Sequence, residues 1–184
     1  MIVSLGWGSL IWCQKTLPVI GTWQLDGPGL PVEFARESRD KRITLVICDG
    51  ALAVKTLWAA LDVPTLDAAK QALAAREGVK RVNIEHCIGW WSPTAASEHS
   101  SAPTIGQWAS ERRLEGVVWT ALKPKIGGDY RIPQRDEVIQ HLSQLQGVER
   151  DIAEEYVRLA PRQIATRYRT GIEDALGWTA SGLI

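Results

Sequence analysis

Apolar residues form short runs in the first two-thirds of the chain and helically spaced stripes in the last third. Residues 2–5 are an apolar run followed by glycine, a pattern typical of a buried strand that ends in a turn. Residues 42–48 are the clearest strand, because they are rich in β-branched residues and end at Asp49-Gly50, a hairpin signal. We therefore predict that residues 51–61 return as the antiparallel partner of this strand.

One predicted helix is marked at both of its ends. Thr65 is a suitable N-cap, and Gly78 can end the helix in the left-handed conformation. Apolar residues recur between them at helical spacing, which gives the helix one apolar face. Glu77 then falls in the last turn, where the negative end of the helix dipole disfavours a carboxylate and burial would disfavour its charge further.

The remaining patterns indicate two further strands, a short helix, three C-terminal helices and turn-rich loops. The strands are residues 82–91 and 116–122, the helices are residues 104–114, 134–145, 149–159 and 162–176, and the loops include residues 21–31. Because strands come first and helices last, with antiparallel signals, we predict an α+β fold. We expect a small, curved or barrel-like mixed β-sheet with flanking helices, a helical C-terminal third, and one domain over residues 1–184.

Composition and charge narrow the function classes. The 184 residues carry 21 Lys+Arg against 21 Asp+Glu, so the net charge is zero, whereas binding to nucleic-acid phosphates needs a basic excess. No apolar run reaches the roughly 18–20 residues that span a bilayer. The N-terminus lacks the charged and apolar regions of a signal peptide. We therefore expect a cytoplasmic protein that acts on a small molecule and binds neither nucleic acid nor membrane; no oligomeric state follows from the sequence.

The cysteines give no sign of a disulfide framework or a metal site. Cys13, Cys48 and Cys87 are odd in number and lack a C-x-x-C spacing, so we predict neither disulfides nor zinc, and no cofactor. Thiol catalysis by one of them with His86 or His141 stays open, since it needs a contact in the fold that spacing does not determine.

A glycine-containing loop follows the first strand. Gly6, Trp7, Gly8, Ser9 and Leu10 form a segment in which two glycines let the backbone turn tightly and present successive N–H groups. Such a concavity suits a phosphate, a carboxylate or a developing oxyanion. The segment is neither a Walker loop nor a complete G-x-G-x-x-G motif. By spacing alone it favours a tight structural turn.

Two segments resemble the γ-glutamylcyclotransferase superfamily, which includes the ChaC-like proteins. Residues 6–12, GWGSLIW, are similar to the substrate-binding loop of that superfamily, with Trp7 where the family usually has tyrosine. Residues 76–79, REGV, resemble the segment that carries its catalytic glutamate. The two motifs occur in the family's order, about seventy residues apart. Weaker similarity along residues 42–61 and 117–124 extends the resemblance over the first two-thirds of the chain.

The resemblance implies a fold, a reaction and a set of roles. It implies a γ-glutamylcyclotransferase-like fold and a metal-independent enzyme that cyclises a γ-glutamyl amine or peptide, glutathione-like ones included, to 5-oxoproline. Glu77 would be the general acid and base. Other members close the pocket with later tyrosines. The substrate-binding residues would be Gly6, Trp7, Gly8, Ser9 and Leu10, and the candidate pocket tyrosines are Tyr130, Tyr156 and Tyr168.

The substrate's α-carboxylate also needs a partner, which we expect to be Arg36, Arg39 or a backbone N–H nest. Two alternatives to the cyclotransferase stay open. One is a non-catalytic binding or regulatory module on the same fold, and the other is a cysteine-dependent amide-processing enzyme.

A group of C-terminal arginines also suggests an anion site. Acidic residues lie close to them in the sequence, so the pattern favours a salt-bridged helical surface instead. The arginines are Arg158, Arg162, Arg167 and Arg169, and the acidic residues are Glu154, Glu155, Glu173 and Asp174.

Overall fold

The structure is a computed structural model that describes residues 1–181, and the chain divides into two compact units. The first unit comprises Met1–Gly6, Cys13–Leu30 and Lys55–Leu122; the second comprises Trp7–Trp12, Pro31–Val54 and the chain from Lys123 onward. Each unit is assembled from segments that are far apart in the sequence. The single domain over residues 1–184 stays a prediction, because compact units of this kind occur within one domain as well as in separate ones.

The first unit is built on a five-stranded mixed sheet. Its strands, in sheet order, are β2 (Val19–Gln24), β7 (Leu57–Leu61), β1 (Ile2–Gly6), β9 (Gly116–Thr120) and β8 (Ile88–Trp91). β1 runs antiparallel to β7, with Val3 opposite Ala60, and parallel to β9, with Val3 opposite Val117. All five residues of β1 are buried, as its apolar run predicts.

Helices accompany this sheet in the first unit. They are α1 (Leu66–Glu77), α2 (Ile84–Cys87) and α3 (Ala102–Glu111), with a 3-10 turn at Arg81–Asn83. The first unit also contains a short strand, β3 (Gly29–Leu30). α1 packs against β1, β8 and β9 and buries Ala69 and Leu73 there. Among residues 1–181, no helix is long and apolar enough to cross a membrane.

The second unit combines a two-stranded antiparallel sheet with three helices. Its strands are β4 (Val32–Glu37) and β5 (Ile43–Ile47), its helices are α4 (Arg135–Gln144), α5 (Gly147–Leu159) and α6 (Arg167–Leu176), and β6 (Val54–Lys55) spans the point where the chain passes to the first unit. Phe34 lies opposite Leu45 in the β4–β5 pair, and α6 packs against β4 and α4. The predicted mixed α+β class is confirmed.

The predicted hairpin at Asp49-Gly50 is wrong. The turn itself forms: the Ala51 amide donates to the Cys48 carbonyl at 3.0 Å, and Gly50 has a φ of 89°. However, β5 pairs with β4, and β7 pairs with β1 and β2. A turn signal is local, whereas the choice of strand partner depends on which apolar faces can be buried together.

Other boundaries also differ from the prediction; the helix expected over residues 104–114, for example, is α3 at Ala102–Glu111. Residues 82–91 are a strand only from Ile88, because the segment before it coils into the 3-10 turn and α2. Residues 21–31 are not all loop, since β2 continues to Gln24 past an irregularity after Ile20. α6 begins at Arg167 rather than at residue 162, because the Thr166 side chain caps it by accepting from the Arg169 amide.

Candidate active site

Glu77 is the last residue of α1, as predicted. The Thr65 hydroxyl accepts from the Ala68 amide at 3.1 Å, which satisfies one of the free N–H groups at the start of the helix. Gly78 ends the helix with a φ of 67°, a conformation that glycine adopts without strain. Both ends of α1 are therefore fixed by residues that the sequence alone identifies.

The Glu77 carboxylate is paired with its neighbour in the chain. Arg76 Nη1 donates to Glu77 Oε1 at 2.7 Å, and the two side chains are only 5% and 16% exposed. Arg76 Nη2 donates to the Cys13 carbonyl at 2.6 Å. A cation in the last turn offsets the penalty that the helix dipole places on a carboxylate there. The sequence analysis missed this pair, although an arginine in the last turn of a helix is a recognisable signal.

The glycine-containing loop is divided between the two units. Gly6 closes β1 in the first unit, where the Trp23 ring covers its backbone so closely that a Cβ on Gly6 would lie 2.5 Å from Trp23 Cζ3. Trp7, Gly8, Ser9 and Leu10 belong to the second unit.

Within the second unit, the loop is turned and pinned to β5. The Ile11 amide donates to the Gly8 carbonyl at 3.0 Å, and Trp7 Nε1 donates to the Leu45 carbonyl at 3.2 Å. The Trp7 side chain is therefore a buried anchor of the loop.

Tyr156 is the tyrosine that the structure brings to this loop. A Cβ on Gly8 would lie 2.5 Å from Tyr156 Oη, and the Leu45 amide donates to the same oxygen at 3.1 Å. The Trp12 ring contacts the Tyr156 ring edge to face at 5.4 Å. The other two candidates lie elsewhere: Tyr130 is 70% exposed, and the Tyr168 hydroxyl donates to the Pro133 carbonyl at 2.8 Å.

We predict that Gly8→Ala destabilises the protein by about 1–3 kcal/mol, because the new methyl group would overlap a buried hydroxyl that cannot withdraw freely. Tyr156→Phe removes that hydroxyl, so the double variant should be more stable than the sum of the two single effects. Urea unfolding of the four proteins measures this coupling. Strictly additive effects would contradict the close contact.

The three arginines of the segment around β4 and β5 have different settings. Arg36 Nη1 donates to the Lys123 carbonyl at 2.6 Å, and Arg39 is exposed. Arg42, which the sequence analysis did not consider, lies over the Tyr156 ring, with its Cζ 5.5 Å from the ring centroid. It also forms an ion pair with Asp40 at 3.1 Å.

Glu33 is a buried carboxylate that the sequence analysis did not identify. Its oxygens accept from the Phe34 amide at 2.8 Å, the Tyr168 amide at 3.2 Å and the Thr166 hydroxyl. It therefore lies at the N-terminus of α6, where the helix dipole favours an anion. Burial nevertheless raises the pKa of Glu33, and these hydrogen bonds oppose the rise. The signal was invisible in the sequence, because Glu33 and Thr166 are 133 residues apart.

We predict that Glu33 makes stability depend on pH. Because burial raises its pKa above the usual value of 4.5, the folded state binds this proton more tightly than the unfolded state does. Relative to Glu33→Gln, the free energy of unfolding of the parent should therefore rise as the pH falls through the folded pKa toward 4.5. Urea unfolding of both proteins between neutral and mildly acidic pH measures this difference. A constant or falling difference would contradict the assignment.

The thiols show different potential as nucleophiles. Burial, with Glu33 and Asp49 nearby, raises the pKa of Cys48 to about 11. Only about one Cys48 in ten thousand would then be a thiolate at neutral pH, which makes it a poor nucleophile. Cys13 is exposed and Cys87 is partly buried. His141, one of the predicted partners, shares a hydrogen bond between Nε2 and the Lys41 carbonyl at 2.6 Å.

An open groove of about 570 Å³ lies in the first unit. It is lined by Trp91, residues 96–100 and the start of α3. Among its lining residues, His99 accepts from the Ser101 amide at 3.2 Å and contacts the Trp119 ring edge to face. The residues predicted from the sequence to bind substrate are not part of its lining. Within residues 1–181, no three His, Cys, Asp or Glu side chains form a group that could hold a metal ion.

Comparison with known proteins adds no relative. No family model, no curated protein and no solved structure matches the chain. The resemblance to the γ-glutamylcyclotransferases therefore depends on the two short motifs around Gly8 and Glu77. The roles of Glu77, Gly6, Trp7, Gly8, Ser9 and Leu10 stay predictions.

Proposed function

We propose that the protein is a γ-glutamylcyclotransferase-like enzyme that closes a γ-glutamyl amine or peptide into 5-oxoproline and releases the amine. The observation that carries this proposal is the setting of Glu77, a largely buried carboxylate that ends a capped helix and is paired with Arg76 at 2.7 Å. Arg76 also donates to the carbonyl of Cys13, at which the chain returns to the first unit. A pre-positioned carboxylate in a partly dehydrated setting suits proton transfer.

The chemistry needs no external nucleophile. The substrate's own α-amine attacks its γ-carbonyl carbon, a carbon–nitrogen bond forms in a five-membered lactam, and the bond to the leaving nitrogen breaks. The α-ammonium group loses two protons, and the leaving nitrogen gains two. In this scheme Glu77 accepts a proton from the α-ammonium group and returns it to the leaving nitrogen, so one carboxylate acts first as base and then as acid.

The loop supplies the second requirement, which is to hold the substrate in a reactive geometry. We assign substrate binding to Gly6 and to the backbone of residues 7–10, whose N–H groups can stabilise the negative charge on the tetrahedral oxygen. The contacts of Trp7 and Gly8 with Leu45 and Tyr156 support this role, because they fix the loop before a substrate arrives. A fixed geometry contributes to the rate by holding the amine against the carbonyl.

The proposal extends to the fold and the setting of the protein. It includes the curved or barrel-like sheet of the γ-glutamylcyclotransferases, a metal-independent reaction without a cofactor, and a place in the cytoplasm. The confirmed mixed α+β class and the zero net charge are consistent with these features.

The experiment offers the purified protein a panel of γ-glutamyl amines, γ-glutamyl dipeptides and glutathione, and measures 5-oxoproline by mass spectrometry. Release from at least one member, with an equal amount of the free amine, is the expected result and identifies the leaving group. If no member releases 5-oxoproline while one of them binds, the non-catalytic module is favoured. Release of glutamate that is lost after alkylation of the thiols would favour the cysteine-dependent enzyme.

A further inference from the structure

We propose that Arg42 is the residue that binds the α-carboxylate of the substrate, in place of Arg36 or Arg39. This inference rests on the proposed function, since it names the anionic group that the same loop must hold. It makes Arg42 a specificity-determining residue: it would select γ-glutamyl compounds with a free α-carboxylate over those in which this group is an amide.

The position of Arg42 within the second unit is the first argument. Its guanidinium lies over the Tyr156 ring, 5.5 Å from the ring centroid. The hydroxyl of that ring lies where a Cβ of Gly8 would contact it, at 2.5 Å. One aromatic ring therefore contacts both the guanidinium and the substrate-binding loop, and we place the α-carboxylate beside this ring.

The hydrogen bonding of Arg42 is the second argument. Asp40 accepts from one terminal nitrogen, Nη2, at 3.1 Å. Arg42 Nε is buried and has no hydrogen-bond partner among the described residues, and a buried donor without a partner costs free energy. Because Nε is buried while the side chain as a whole is 33% exposed, an arriving carboxylate would pair first with the terminal nitrogens, and Nε would join only as the side chain adjusts. A guanidinium presents several donors in one plane, which matches the two oxygens of a carboxylate.

The alternatives from the sequence are less suited to the role. The Arg36 guanidinium already donates to the Lys123 carbonyl at 2.6 Å, which holds it on the neighbouring segment. Arg39 is exposed, so an ion pair there would be weakened by water and salt. Of the three, Arg42 is the one that lies against Tyr156 and has an unpaired buried donor.

The test compares Arg42→Met with Arg39→Met, an exposed arginine three residues earlier in the chain. The substrate is the panel member that releases most 5-oxoproline, together with its analogue in which the α-carboxylate is a carboxamide. For the carboxylate substrate we expect Arg42→Met to raise KM about 10- to 100-fold with a small change in kcat. Parent and Arg39→Met should prefer the carboxylate over the carboxamide, and Arg42→Met should lose that preference.

A preference that survives in Arg42→Met, or a KM no higher than that of Arg39→Met, would overturn the inference and leave the proposed function intact. Arg42→Lys is the second variant; it keeps the charge over the ring without the planar fork, and should give an intermediate KM if Arg42→Met does not fold.

Binding of 5-oxoproline, followed by NMR titration, tests the inference when the parent shows no turnover. Binding to the parent that is lost in Arg42→Met and kept in Arg39→Met would support the carboxylate site, although the proposed reaction had failed. Equal binding to all three proteins, or no binding to the parent, would overturn the inference.

Discussion

Replacing Glu77 by glutamine should lower the rate of 5-oxoproline release at least about 100-fold, because a positioned general acid and base contributes roughly 10²–10⁴-fold to a rate. Glutamine has nearly the same shape and keeps an oxygen that can accept from Arg76 Nη1. It has lost the negative charge that pairs with Arg76 and the capacity to take up and return a proton. The measurement is kcat for the best panel substrate, with circular dichroism and thermal unfolding on the same samples.

Glu85→Gln is the matched control for this prediction. Glu85 also lies in a helix of the first unit and is also paired with a cation, Lys70, at 2.8 Å, but it is 66% exposed. Its loss should leave kcat unchanged. Glu77→Asp is the second variant: it keeps a charge for Arg76 while drawing the carboxylate back by one methylene, so it should fold and still be slow. Full activity in Glu77→Gln would contradict the role of Glu77.

Replacing Arg169 by methionine should produce the largest loss of stability, about 3–5 kcal/mol. The side chain is 4% exposed, and its guanidinium donates to four carbonyls. These carbonyls belong to Val157, Ala160, Pro161 and Ile164, at distances from 2.6 to 3.1 Å. Two of them, in Val157 and Ala160, lie at the end of α5, where a helix leaves carbonyls unpaired. Methionine fills similar space but leaves all four without this donor.

Arg158→Met is the matched control for Arg169→Met. Arg158 also pairs with a glutamate four residues away, Glu154 at 2.7 Å, but its side chain is 36% exposed. Because water can replace the lost contacts at an exposed site, its removal should cost about 1 kcal/mol or less. Urea unfolding gives both values. Equal losses in the two variants would contradict the view that Arg169 is the buried link between α5 and the start of α6.

Arg169 also shows which features the sequence could not reveal. Sequence spacing placed it on a salt-bridged helical surface, and its ion pair with Glu173 does form, at 3.2 Å. The prediction that Arg169 lies on the surface was wrong, since its side chain is buried and donates to carbonyls outside its own helix. Charge spacing along a helix reports on neighbours in the same helix and carries no information about what packs against it.

By contrast, α1 could be predicted almost to the residue. Thr65 and Gly78 act through contacts within a few residues of themselves, so their capping roles can be predicted from the local sequence. The position of Glu77 at the end of α1 follows directly from those two residues. The strand partners could not be predicted in this way, because the pairing of β5 with β4 depends on which apolar faces are buried together across the whole chain.

The same distinction between local and distant contacts applies to the candidate site. The glycine-containing loop and Glu77 were found as short motifs. Tyr156 was one of three candidate tyrosines that the sequence did not distinguish, and Arg42 was not considered, because the contact of Leu45 with Tyr156 joins residues 111 positions apart. Residues that meet only through such distant contacts have no local pattern that could identify them.

The central claim is that the substrate's own amine, and not water, closes onto the γ-carbonyl carbon. The most direct measurement runs the reaction in water enriched in oxygen-18 and examines all products by mass spectrometry. We predict 5-oxoproline without heavy oxygen and an equal amount of released amine, because no water enters the lactam. Glutamate that carries heavy oxygen in its γ-carboxylate would contradict the claim, since it would show that water completes the reaction.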